Sequence, residues 1–107
     1  MTFTLRHDKY GLPRVRADRA HRRLADFLET DVQENESLAR ELLQDLAAVE
    51  QKPAESREVI GNAYVLTMAA DGVTISDLYD DSSAPYCTDP DHFRRALTQW
   101  LAFITGS

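Results

Sequence analysis

Five arginines, Arg14, Arg16, Arg19, Arg22 and Arg23, fall between residues 14 and 23. A guanidinium offers a planar fork of N–H donors that pairs with carboxylate or phosphate through two hydrogen bonds, so a cluster of them holds anions. Arg14 and Arg16 share one face of a strand, because side chains alternate along it. Arg19, Arg22 and Arg23 then open the helix expected to follow, where positive charge opposes the macrodipole and gains nothing from the helix itself. With Arg6 and Lys9, residues 1–23 hold seven bases against two acids, and the remainder holds five against sixteen. This polarity within one small chain decides which surfaces can approach which partners. The bland alternative is a solvated face, partly paired with the chain's own acids. No aromatic residues interleave with the arginines to stack bases. A net charge of −6 also opposes general attraction to phosphate backbones, so nucleic acid is not expected as a partner of the whole chain.

Other chemistry-bearing residues form no recognisable constellation. Asp77, Asp80, Asp81, Asp89 and Asp91 crowd one stretch, as hard cations require, but they lack the alternate acids, central glycine and closing glutamate of a calcium loop. His7, His21 and His92 are far apart in sequence, and none combines with the lone Cys87 in a zinc spacing. A Cys87- or histidine-based enzyme would need those groups to converge in space. Glycine-rich phosphate loops, H-E-x-x-H and G-x-S-x-G are all missing. No catalytic residue, cofactor or metal ligand is assigned, and the reading leans away from an enzyme.

The elements that must position the arginines follow from periodicity. Residues 2–6 alternate as a strand, Asp8 and Gly11 suit a turn, and residues 13–17 return. Asp18 is placed to cap a helix carrying Ala20, Leu24, Phe27 and Leu28. Thr30 and Gln33 match a capping box for a second helix, with Leu38, Leu42, Leu43, Leu46 and Val49 as its apolar stripe and Pro53 beyond its end. Residues 58–68 read as one strand, in which Gly61 marks a bulge or a close approach. Asp71-Gly72 is a hairpin turn into residues 73–76. Residues 77–89 read as a loop. Asp89 and Pro90 then start a helix bearing Phe93, Ala96, Leu97, Trp100, Leu101 and Ile104, ending at Gly106.

A chain of 107 residues is one domain, long enough for a core without disulfide staples. The expected class is α+β, with two β-hairpins forming one antiparallel sheet covered on a single face by about three helices. No secretory h-region and no membrane-length apolar run is present, and a single cysteine suits a reducing compartment, so the expected location is the cytoplasm with no membrane partner.

Several short motifs carry a family resemblance: Leu5-Arg6, Asp8-x-x-Gly11, Val15-Arg16, His21 and Val32-x-Glu34-Asn35, then Gly61-x-x-Tyr64-x-Leu66-x-Met68 and Gly72. On these residues the chain resembles the YacL family of small uncharacterised bacterial proteins. The C-terminal helix around Phe93 is similar in pattern only, and the loop 77–89 departs most. The resemblance implies no activity and supplies no catalytic residues.

The expected function is a non-enzymatic, cytosolic protein-interaction module. The Leu-rich second helix or the Trp100 helix would supply spare apolar surface, and the acidic flank would bias partner choice. The partner is a protein, and a homodimer is also consistent with the chain. The alternative is a binder of nucleic acid or a small anionic ligand through the arginine face.

Overall fold

Asp8 closes the first hairpin. In the computed structural model, which describes residues 3–53 and 55–106, its carboxylate accepts the N–H groups of Tyr10 and Leu12 at 2.8 and 3.0 Å, and Gly11 supplies a φ of +79°. Strand β1 (Phe3–His7) thus pairs antiparallel with β2 (Pro13–Ala17). Phe3, Leu5 and Val15 turn inward against the core. The expected strand start at Thr2 lies outside the described residues.

The next helical run differs from a simple capped helix. A 3-10 turn (Arg19–His21) leads into α1 (Arg22–Phe27), which widens into a π turn (Leu28–Val32). Asp18 does not cap; its carboxylate pairs with His21 Nδ1 at 2.8 Å. The capping box at Thr30 and Gln33 does not form either. Thr30 Oγ1 donates back to the Asp26 carbonyl at 2.7 Å, and Gln33 takes φ 55°, ψ −137°, which ends the run. Trp100 accounts for the break, since its indole N–H donates to the Gln33 carbonyl at 2.7 Å. Asn35 caps α2 (Glu36–Gln51) instead, accepting from Leu38 N at 3.0 Å.

Residues 56–77 fold as a three-stranded meander: β3 (Ser56–Ile60), β4 (Tyr64–Ala69) and β5 (Gly72–Asp77). The single strand expected over 58–68 is therefore two strands, turning at Gly61. The hairpin at Asp71-Gly72 stands as expected, with Ala69 opposite Gly72. A further strand, β6 (Tyr86–Thr88), pairs with β5 inside the stretch read as loop. Helix α3 (Pro90–Thr105) starts on Asp89, which accepts from His92 N at 2.7 Å, and ends on Gly106 at φ 74°.

The α+β class is as expected, but the hairpins do not join. Strands β3-β4-β5-β6 form one antiparallel sheet, and β1-β2 stays a separate ribbon. The meander recruits its own edge strands from residues 56–60 and 86–88, so the first ribbon packs on α1 and α3 instead. Leu66, Met68, Val73 and Ile75 point to one face of the larger sheet, and the helices bury it with Leu24, Leu42, Leu46, Phe93, Leu97 and Trp100. Trp100 is 0% exposed.

Candidate functional site

The hairpin register decides which arginines meet. Arg6 lies opposite Arg14 and Thr4 opposite Arg16, so Arg6, Arg14 and Arg16 share the face turned away from Leu5 and Val15. Like charges directly across a ribbon repel. Arg14 escapes this by pairing with Asp8 at 3.0 Å and Glu29 at 3.7 Å, while Glu29 also accepts the Val15 N–H at 2.8 Å. The Asp8 hydrogen bond and then the Glu29 charge raise the Arg14 pKa. Loss of hydration works against ionisation of Asp8, but bonds from Leu12 N, Arg14 and Tyr10 N outweigh it and hold its pKa low. Arg14 is thus consumed by the hairpin.

Arg23 is consumed too. Its guanidinium donates to the Ala84 carbonyl and the Ser83 hydroxyl, both at 2.6 Å, and lies 5.7 Å from the Tyr64 ring centroid. It straps the stretch before β6 to α1. Arg19 is exposed and does not line the groove described next.

Arg16 and Arg22 remain together. With Arg6 they line a surface groove of about 250 Å³ whose other walls include Ala17, Ala25 and Asp26. The three arginines are exposed, and none forms an ion pair with a described carboxylate within 4.0 Å. Three guanidiniums against one carboxylate leave the groove strongly cationic. Of the five arginines singled out from sequence, the structure brings Arg16 and Arg22 together and diverts Arg14 and Arg23 to internal bonds. Arg6 and Asp26 were missed. Arg6 is found once the hairpin register is known, and Asp26 stands four residues after Arg22 on one helix, where side chains are neighbours.

Two of the scattered histidines also meet. His21 and His92 stand edge to face with ring centroids 4.9 Å apart, and Tyr86 lies 6.0 Å from His21. His92 Nδ1 contacts the Thr88 hydroxyl at 2.6 Å. Burial, then the neighbouring His21, lowers the His92 pKa. Burial raises that of Tyr86, whose hydroxyl is shut from solvent without a well-formed hydrogen bond, the Thr88 hydroxyl being engaged by His92. His7 stacks instead on Phe103. Cys87 is exposed and contacts the Thr74 hydroxyl at 3.8 Å, not a histidine, which removes a Cys–His pair. Three of the four acids of residues 77–89 serve the backbone: Asp77 accepts from Tyr79 N, Asp80 from Ser82 N, and Asp89 caps α3. Among the described residues, no group of three or more histidine, cysteine or acidic side chains could hold a metal ion, and no helix is long and apolar enough to cross a membrane.

Residues 1–78 match the uncharacterised protein family UPF0231, the family of YacL-like small bacterial proteins. The chain belongs to UPF0231. The UPF0231 span holds all four charged groove residues, Arg6, Arg16, Arg22 and Asp26, and ends just after β5. Residues 83–84, which Arg23 grips, and α3 lie beyond it. No curated protein and no solved structure is significantly similar to the chain.

Proposed function

We propose that this UPF0231 chain is a non-enzymatic binding module of the cytosol that docks an acidic segment of a partner protein in the groove of Arg6, Arg16 and Arg22. One observation carries the reading: three exposed guanidiniums converge there without carboxylate partners, in a chain that has acids to spare. Unpaired arginines at one place repel each other, and an incoming pair of carboxylates relieves that through forked hydrogen bonds. The acidic remainder repels the same ligand elsewhere and so orients its approach.

The support has shifted from apolar surface to charge. Trp100 and the leucines Leu42 and Leu46 are buried in the core, so neither long helix offers the spare apolar stripe expected from sequence. The groove size favours one or two acidic side chains over a nucleotide, since about 250 Å³ falls below the ~300–1,000 Å³ of ordinary small-molecule pockets. A single small anion such as phosphate is the second reading that this size admits.

Fluorescence anisotropy with a labelled glutamate-rich peptide tests the proposal. Binding is expected at low ionic strength, weakening steeply with salt. It is lost in the Arg16→Ala/Arg22→Ala double variant and kept in Arg19→Ala. A flat titration at low salt, or equal binding by the double variant, defeats the proposal. Competition by inorganic phosphate at equal ionic strength would select the small-anion reading, and sedimentation of the protein alone shows whether a second copy supplies the acidic segment.

A further inference from the structure

We infer that the outer edge of β1 receives an extended segment of a partner protein as an added strand, one in which acidic side chains alternate with apolar ones. The inference goes beyond the arginine groove. It stands on different atoms, the main-chain groups of β1 and an apolar groove beside them.

The bonding pattern of the hairpin exposes that edge. Partners in an antiparallel pair alternate between those that exchange hydrogen bonds and those whose N–H and C=O groups point away. The Val15 N–H points away, because it donates to Glu29 at 2.8 Å, and Pro13 has no N–H at all. Their partners across the ribbon are Leu5 and His7. Leu5, His7 and, two residues before Leu5, Phe3 therefore turn their own N–H and C=O groups outward. Among the described residues, nothing bonds to these groups. The larger sheet guards its edges differently. β3 carries Arg57, bonded to Asp45 at 2.8 Å, and Glu58, and β6 is only three residues long. Charge and shortness both discourage strand addition.

β1 instead borders a groove of about 450 Å³, lined by Phe3, Thr4 and Leu5 on one side and by Gln99, Ala102 and Phe103 of α3 on the other. Side chains alternate along a strand, so three consecutive residues line one groove through the edge they share. Phe3 and Leu5 are half-buried, and His7 stacks on Phe103 with ring centroids 4.5 Å apart. The groove thus continues the underside of the ribbon past its last strand. A peptide strand laid there gains main-chain bonds and apolar cover together, the mode by which exposed sheet edges capture peptides.

The two faces of the ribbon set the composition of the guest. A side chain opposite Phe3 or Leu5 turns under, toward Ala102 and Phe103, and is apolar. One opposite Thr4 or Arg6 turns up, beside Arg6, whose guanidinium no described carboxylate pairs. Opposite charges on neighbouring strands attract and like charges repel, so that side chain is acidic. The same rule decides against a second copy of this chain. Two β1 strands joined edge to edge in an antiparallel sheet share their faces, and each would bring its own Arg6 and Arg16 to the same surface. The chains that carry them would also repel through a net charge of −6 apiece.

The test uses the full chain and a peptide alternating glutamate with leucine, followed by anisotropy and by nitrogen-proton NMR. Binding is expected to shift the Phe3, Leu5 and His7 amides. Only every second residue of an added strand bonds to β1. Methylating the leucine nitrogens therefore disables an antiparallel guest, and methylating the glutamate nitrogens a parallel one. One of the two methylated peptides should bind at least about tenfold more weakly, as the loss of two or three main-chain bonds implies, and the other within about twofold of the parent. Ala102→Glu places a carboxylate under the edge at a helix-tolerant position. It should weaken the alternating peptide at least about tenfold and leave an all-glutamate peptide within about twofold. The methylated peptides need no variant, so they judge the edge even if Ala102→Glu fails to fold. Equal effects in both methylation registers overturn the inference and leave the groove reading standing. So does equal binding of a peptide with the same composition but its glutamates and leucines in separate blocks, and so does an alternating peptide that does not bind. An all-glutamate peptide that fails while the methylation pattern holds defeats the groove and upholds the edge. A dimer of the protein alone in sedimentation, with the Leu5 amide shielded before any peptide is added, assigns the edge to a second copy and overturns the acidic strand.

Discussion

The Asp31 carboxylate occupies the space that a side chain at Gly61 would need. A Cβ built on Gly61 would lie 2.7 Å from Asp31 Cγ and closer still to one carboxylate oxygen. Asp31, 9% exposed, spends those oxygens on the β3–β4 turn, accepting from Ala63 N at 3.0 Å and Tyr64 N at 3.1 Å. The end of the first helical run is thereby pinned to a turn some thirty residues later in sequence.

Gly61→Ala should destabilise the fold by about 1–3 kcal/mol, the usual cost of forcing an extra carbon into packed space. Asp31→Ala should cost about 3 kcal/mol by stranding two backbone donors. Denaturant melts of both and of the double variant form a cycle, in which the double variant is expected to lose less than the sum, because removing Asp31 also removes the clash. Strict additivity would mean the two residues do not compete for space.

Gln33 holds a backbone conformation that side chains rarely adopt, φ 55° and ψ −137°, a strain of order 1–3 kcal/mol. Gln33→Gly should therefore stabilise the protein by about 1 kcal/mol net, after the loss of the Gln33 side-chain bond to the Thr30 carbonyl. Trp100→Phe should do the reverse, by about 1–3 kcal/mol, because it leaves the Gln33 carbonyl unpaired and a small void in the core. Thermal melts decide both signs.

Acid should weaken the fold through His92. Burial and His21 depress its pKa in the folded state, so the unfolded chain binds more protons as pH falls. Stability from this group is complete above the unfolded value near 6.5 and declines as pH drops through it toward the lower folded value. Thermal midpoints recorded across that interval should fall in wild type and fall less in His92→Gln. A midpoint indifferent to pH there would remove the effect.

Arg23→Ala should loosen the segment before β6 without dissolving the core, because the guanidinium's hydrogen-bond partners are Ser83 and Ala84 and not the fully buried side chains such as Leu24 and Leu28. Limited proteolysis should show faster cleavage near residues 79–85 in the variant. By contrast Arg16→Ala and Arg22→Ala, at exposed positions, should change stability by no more than about 0.5 kcal/mol.

Where local signals and long-range packing agree, the sequence is a sufficient guide. Asp89, Pro90 and Gly106 bound α3 as their backbone preferences dictate, and the 3.6-residue stripe through Leu42, Leu46 and Val49 faces the core. Gly61 was legible as a close approach, but not as one made by Asp31, since nothing local links the two. The failures share a cause. Thr30 and Gln33 have the chemistry of a capping box, yet Trp100, sixty-seven residues away, takes the Gln33 carbonyl and breaks the helix there. β6 is three residues long and gains its identity from pairing with β5. The arginine cluster could be seen as a cluster. Which members stay unpaired depended on Glu29 and Ser83, whose positions only the fold supplies.

The family match stops at residue 78, but the interior does not. Phe93, Leu97 and Trp100 are wholly enclosed side chains contributed by the last helix, and the Gln33 bend exists to meet one of them. A fragment cut at the boundary of the match would keep every groove arginine and lose the wedge that its own leucines close upon. Such a piece would carry the recognition chemistry on a shell with no filling, so any trimmed form meant to isolate the cationic groove must keep the final helix attached.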